Sequence, residues 1–241
     1  VRLDRGFCHN SFVSYAIIAI IKAMEDHFYI AEGRPFAGRE LERLRGFLAG
    51  CGLDYDDAIT YSAVIVNEDN GEIAAAGSFS GIILKCIAVS PVYHGQGLLV
   101  DLMGHLYEKM YEKGSTHWIG FTKPKNEGVF GHTGLHLVEA TEHMIYLENR
   151  KNGFRDYLTS LSREVEECSR EEREAIFHRE VAHSIHAGDP ERVDFPGYLI
   201  PPEEMPTYFM MDKEQALQYR EELYRRVEAR VLDALGLQCN T

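Results

Sequence analysis

Apolar positions arrive first in a dense block, and residues 12–30 read as one apolar helix. The pattern then thins to an amphipathic stripe. Leu41, Leu44 and Leu48 recur at helical spacing, which predicts a helix over Gly38 to Leu48 stopped by Gly50 and Gly52. From Tyr61 the period changes. Ala63 to Val66 and Ile73 to Ala76 read as two strands, joined at Glu68-Asp69-Asn70-Gly71, residues that accept the positive φ of a hairpin turn. Gly81 to Val89 is a third strand, apolar on both faces and so expected at the centre of a sheet. After Ser90-Pro91 the helical period returns. Leu98, Leu99, Leu102, Met103, Leu106, Tyr107, Met110 and Tyr111 mark a helix, and Gly114 is placed to cap it. Thr116 to Thr122 is the next strand, so strand, helix and strand form a right-handed crossover unit. A short helix near Asn126–Phe130 and a last strand at Met144 to Asn149 complete the order.

The pattern shifts near Lys151. "SREVEECSREEREAIFHREVAHSIHAGD" is charged and helical, and Pro196, Pro201, Pro202 and Pro206 then interrupt the chain. A final helix is predicted from about Asp212 to Leu235, with Asp212 and Gln215 as a capping box and Gly236 as the stop. Apolar residues in this tail are few, so a compact second domain is not expected there. The predicted fold is α/β (α+β): a mixed central sheet flanked by helices, with a mainly helical C-terminal appendage.

Composition narrows the partners. Lys and Arg number 25 against 38 Asp and Glu, a net charge of −13. Such a chain repels a phosphate backbone, so nucleic acid is excluded as a partner, while a local pocket for one phosphorylated ligand is not. The five cysteines (Cys8, Cys51, Cys86, Cys168 and Cys239) are scattered and form no C-x-x-C pair. They read as reduced thiols of a cytoplasmic protein. "FVSYAIIAIIKAM" is shorter than the ~20 apolar residues that span a bilayer, so no membrane partner is expected. The sequence begins at Val1, and its natural start is expected upstream.

Candidate chemistry concentrates at the strand–glycine–helix junction Gly95-Gln96-Gly97. The first amides of a helix have no intrahelical partner and carry partial positive charge, which suits a phosphate. A plain tight turn would leave the same residues. A Walker loop is excluded because Leu98-Leu99 stands where Lys-Thr is needed, and a dinucleotide fingerprint because Val100 stands at the third glycine. The order of elements around Val92-Tyr93-His94-Gly95-Gln96-Gly97 resembles a GNAT-type N-acetyltransferase, with Val92 in place of the family's leading Gln or Arg. That resemblance implies that Gly95, Gln96, Gly97 and Leu98 hold the pyrophosphate of coenzyme A or acetyl-CoA. It also implies that the main chain of Ile87, Ala88 and Val89 pairs with the pantetheine arm.

"LKCIAV", "TKPK" and "LEN", with "FLAGCGLDYD" before them, are similar to the N-terminal domain of the citrate lyase ligase family, over Gly46 to Leu161. "MPTYFM" (Met205–Met210), the helix after it and Leu235-Gly236-Leu237 resemble a later segment of that family. The resemblance implies residues 1–150 as a GNAT-like acyl-CoA-binding domain and 151–241 as a charged helical linker with a partial C-terminal segment. The implied reaction is ATP-dependent acetylation of the thiol on the citrate lyase acyl carrier protein, through coenzyme A or a phosphopantetheine-type arm. No nucleotide-binding signature for ATP is found: His183-x-x-His186 lacks the glycine between its histidines.

GNAT enzymes often use a Tyr as general acid where this chain has Phe130, so no catalytic residue is assigned. His178, His183 and His186 read as a solvated helix rather than a metal cluster, and no metal is expected. Lys85, Lys123 and Lys125 read as surface lysines that could meet a ribose phosphate. Cys86 reads as packing, Asp101 and His105 as a polar face that could supply a base, and Glu148 stays open between a structural and an orienting role. Three functions therefore compete: a ligase-type protein, a free-standing acetyl-CoA-dependent N-acetyltransferase on a small amine, and a degenerate non-catalytic binding module.

Overall fold

A computed structural model describes residues 27–185, 197–205 and 213–237. Strands β1 (Phe28–Gly33), β2 (Tyr61–Asn67), β3 (Ile73–Ser80), β4 (Ile83–Val89), β5 (Ile119–Thr122), β6 (His136–Ala140) and β7 (Ile145–Glu148) form one seven-stranded sheet. Its order is β1-β2-β3-β4-β5-β7-β6. Helices are α1 (Gly38–Gly50), α2 (Leu98–Glu112), α3 (Glu127–Gly131), α4 (Gly153–Glu164), α5 (Arg170–Ile185) and α6 (Lys213–Ala234). The fold is mixed α/β, as the period changes along the sequence predict. Among the described residues, no helix is long and apolar enough to cross a membrane.

Two parts of the reading are corrected. Phe28 to Ile30 belong to β1, an edge strand paired antiparallel with β2, and not to a helix. The rest of the helix read over 12–30 lies outside the described residues. The sheet also gains β6, which the period did not show. The central position of β4 holds: it lies between antiparallel β3 and parallel β5. The start of the final helix at Asp212, with its capping box, lies outside the described residues.

The amphipathic stripe of α2 explains one face of the sheet. Leu98, Leu102, Met103, Leu106 and Met110 are buried against Ala63, Ile65, Ala75 and Phe79. Gly77 in β3 permits that approach, since a Cβ there would stand 2.7 Å from Leu106 Cδ1. On the other face, Leu44 and Leu48 of α1 pack over Val64, Val66 and Ala88. Beyond β4 that layer changes. Ile119, Phe121 and Tyr146 share a core with Tyr198, Leu199 and Ile200 and with Leu223, Val227 and Val231 of α6. The few apolar residues of the tail are thus packed against the sheet. Arg226 and Arg230 of α6 donate to the carbonyls of Ala140 and Val138 at 3.0 and 3.2 Å, covering the free edge of β6.

Candidate functional site

The site begins with a failure of pairing. β4 and β5 run parallel, but their register holds only at Ile83↔Ile119 and Leu84↔Gly120. Beyond those pairs the strands part. A β-bulge contributes: Ala76 faces Ala88 and Ser78 faces Lys85, so Cys86 and Ile87 together oppose Gly77. Cys86 takes φ +52°, and its thiol donates to the Asp54 carbonyl at 3.3 Å. An extra residue in one strand bends and twists it. The gap opens into a cavity of about 730 Å³.

Ile87, Ala88, Val89, Gly95, Gly97 and Leu98 all line this cavity, while Gln96 is exposed on the loop between the two glycines. Gly95 and Gly97 have φ of +81° and +82°, and a Cβ at either would meet nothing within 4 Å. Their requirement is conformational, and the space above them is open. Gly97 is the N-cap of α2; its carbonyl already accepts from the amides of Val100 at 2.8 Å and Asp101 at 3.3 Å. The first-turn amides before those face outward without intrahelical partners, as at any helix start. His94 folds back, its Nε2 donating to the Val89 carbonyl at 3.1 Å. One acceptor lone pair of the expected arm-binding strand is therefore held by the protein itself.

The wall opposite is the end of β5. Lys123 and Lys125 line the cavity from a 3₁₀ turn over Pro124–Asn126. Asn126 pins that turn through Nδ2 to Thr122 Oγ1 at 2.8 Å. Burial, and then the charge of Lys125, hold the Lys123 ammonium below the usual lysine range. His132 also lines the cavity, and none of the described lining residues is Asp or Glu. The inner end is apolar, with Leu84, Phe121, Leu135 and Leu147. Cys51, Gly52 and Leu53, from the turn after α1, reach it too. No chemical signal in the sequence marks those three. Burial raises the Cys51 thiol.

Other expected candidates stand elsewhere. Lys85 is 2% exposed and turned to Asp56 at 2.6 Å, so it is neither a surface lysine nor part of the cavity. His105 lies between the Tyr61 hydroxyl at 2.9 Å and Glu32 Oε1 at 3.1 Å, also away from the cavity. Glu148 is buried and structural: it accepts from Tyr198 Oη at 2.5 Å, the Phe154 amide at 2.9 Å and His117 Nε2 at 3.0 Å. Phe130 lines the cavity and brings no hydroxyl to it. The nearby Tyr107 hydroxyl points instead to Thr133 Oγ1 at 3.4 Å, and burial pushes it up to about 12. No group of three or more metal-ligating side chains exists among the described residues. The pair His183 and His186 lies outside the described side chains.

No protein-family model matches the chain. In sequence, the chain is similar to curated proteins named [citrate [pro-3S]-lyase] ligase. The one from Haemophilus influenzae is 30% identical over 112 residues, 46% of this chain and 33% of that protein. Its counterpart from Klebsiella pneumoniae is 30% identical over 99 residues, 41% and 29% of the two chains. The Escherichia coli protein is 27% identical over 126 residues, 52% and 35%. The matched stretch spans about a third of the length of these relatives. Among solved structures, an acyl-CoA N-acyltransferase from Pseudomonas aeruginosa has TM-score 0.39 at 14% identity, covering 50% of this chain and 95% of that one. A GNAT-family acetyltransferase from Staphylococcus aureus has TM-score 0.41 at 12% identity, covering 51% and 99%.

Proposed function

We propose that this chain binds coenzyme A, or the phosphopantetheine-type arm of a carrier protein, as the acyl-handle domain of a citrate lyase ligase-type protein. The pyrophosphate would sit at Gly95–Leu98 and the arm along Ile87–Val89. The observation that carries this reading is the parting of β4 from β5 next to a positive-φ glycine loop. Unpaired strand edge suits the amides of a pantetheine chain, and free helix amides suit a pyrophosphate. The residues present fit such a group: the space over the glycines is open, the inner cavity is apolar, and the described lining lacks carboxylates that would repel phosphate.

The chain's own part is to bind and orient. The apolar inner end excludes water from the thiol end of the arm, while the loop and lysines hold its charged head. When bound, the ligand supplies the thiol that carries the acyl group. Acetylation of the citrate lyase acyl carrier thiol, with ATP and acetate, is the reaction that the resemblance to the ligase family implies. Amine acetylation by a free-standing enzyme is less well supported, because Phe130 has no proton to give a leaving thiolate.

Calorimetric titration with coenzyme A and with the carrier's prosthetic group tests the reading. Saturable binding of at least one is expected, weakened about tenfold or more by Gly97→Val, which removes the loop conformation. No binding of either ligand below millimolar concentration would sink it.

A further inference from the structure

Three glycines stand inside the described strands: Gly33, Gly77 and Gly120. A glycine in a strand interior weakens it, so each asks for a reason. Two have one in the packing. A Cβ at Gly33 would stand 2.5 Å from the Phe36 ring, and one at Gly77 would stand 2.7 Å from Leu106 Cδ1. Gly120 of β5 is different. Its backbone lies outside the left-handed region, and a Cβ there would meet nothing nearer than Leu84 Cβ at 3.8 Å, an ordinary contact. Neither conformation nor packing requires the missing side chain. What the glycine leaves is room, and the room opens on the cavity that Gly120 lines. A strand glycine of this kind marks a place where a ligand comes close.

The register gives the shape of that room. Gly120 pairs with Leu84 of β4 on one side and with Leu147 of β7 on the other. Residues paired across a sheet point to the same face, so the row reads leucine, glycine, leucine, with a notch between the two side chains. Leu135 closes the notch, its Cδ1 standing 3.9 Å from where a Cβ of residue 120 would be. Leu84, Leu135 and Leu147 are each at most 3% exposed. The pair Leu84↔Gly120 is also the last rung before β4 and β5 part. The notch is therefore the floor of the cavity, at the end of β4 away from the glycine loop. Two residues along β5 on the same face, the Thr122 hydroxyl already accepts from Asn126 Nδ2 at 2.8 Å.

Resting on the coenzyme A reading above, we infer that the notch over Gly120 is an acyl subsite and that Gly120 sets which acyl group it takes. With the pyrophosphate at the glycine loop and the arm along β4, the thiol end reaches the floor. The atoms beyond the sulfur are those of the acyl group. Three leucines and a bare, paired backbone receive a neutral alkyl chain. They supply no partner for a carboxylate, and burying one there is costly. The substrate class is a thioester of an unbranched, uncharged short-chain acid, with its length set by the missing side chain.

The test titrates the full chain by calorimetry with coenzyme A, acetyl-CoA, butyryl-CoA and malonyl-CoA. The wild type is expected to bind butyryl-CoA about tenfold or more tighter than coenzyme A, since each buried carbon adds a few-fold. Acetyl-CoA is expected between the two, and malonyl-CoA no tighter than coenzyme A. Gly120→Ala puts one methyl into the notch at ordinary contact distance and is expected to remove most of the butyryl preference; Gly120→Val is expected to abolish it. Leu135→Ala widens the notch and is expected to raise hexanoyl-CoA above butyryl-CoA. If Gly120→Val lacks the native far-ultraviolet circular dichroism, Gly120→Ala carries the comparison. Equal binding of coenzyme A, acetyl-CoA and butyryl-CoA by the wild type overturns this inference and leaves the glycine-loop reading standing. An undiminished butyryl preference in Gly120→Ala overturns it too, because the acyl chain then lies elsewhere. So does equal weakening of all four ligands, because the glycine then serves the arm. No binding of any of the four by the wild type overturns both readings together.

Discussion

Lys85 shows how a single residue can defeat a reading by pattern. In "LKCIAV" it is the one charged residue of a strand that is otherwise apolar on both faces, and surface exposure is the default for a lysine. β4 is a central strand covered on both faces, so Lys85 is buried whichever face it takes, and it is met there by Asp56. Sequence spacing carries no mark of the bulge that follows at Cys86 and Ile87. The two partners are unequal. The Lys85 side chain is 3% exposed, whereas that of Asp56 is 20% exposed and also accepts from the Ala58 amide at 2.9 Å. Asp56→Ala is therefore expected to cost about 3–5 kcal/mol, because it strands a buried ammonium. Lys85→Met is expected to cost under about 2 kcal/mol, since Asp56 keeps water and an amide. Urea unfolding of both variants checks this, and a larger loss from Lys85→Met would contradict it. Cys86 beside them behaves as the sequence suggests, a packing residue: burial pushes its thiol up to about 11, which makes it a poor nucleophile at neutral pH.

At the scale of elements, the long periodic segments were legible and the short ones were not. The stripe of α2 and the turn glycines mark the junction that lines the cavity. β6 is five residues with a register shift between Leu137 and Glu139, and its apolar Leu137 is 47% exposed beside Val138 at 7%, so apolar residues do not mark one face of it. β1 was hidden because its apolar residues continue the block before it. The lysine turn was legible as residues but not as a wall, because that needs β4 and β5 to part. Contact between α2 and β3 depends on an absent side chain. Gly77→Ala places a methyl against Leu106, Ile87 and Leu102, and is expected to destabilise by about 1–3 kcal/mol. Adding Leu106→Ala makes room, so a double-mutant cycle should show the two changes to be non-additive. Simple additivity in the unfolding free energies would place the strain elsewhere.

For the molecule as a whole, the tail is joined to the sheet through buried polar groups as well as apolar ones. Tyr198 donates to Glu148, and Tyr146 donates to the Gly197 carbonyl at 2.8 Å. The sequence hid this because Tyr198, Leu199 and Ile200 sit between prolines, where average composition reads as a break. Burial, and then Glu148, raise the phenols of Tyr198 and Tyr146, while burial and then Glu180 raise Tyr157. Unfolded phenols titrate near about 10, so the folded state binds protons that the unfolded state releases above that pH. Their contribution is full below pH ~10 and is lost as pH rises beyond it. Tyr198→Phe is expected to cost about 1–3 kcal/mol at neutral pH, leaving Glu148 short of a donor, and to flatten the alkaline fall in melting temperature. A melting curve against pH that falls equally steeply in the variant would refute the assignment.

The parting of β4 and β5 also has a mechanical side. A sheet resists shear through the rungs between its strands, and at this one junction it has two register pairs where β1 and β2 share six. Covalently, the two sides meet only through the crossover of α2. The line along which a ligand would enter is the same line along which the sheet would tear, so an occupant that bonds to β4 acts as added rungs at its thinnest seam.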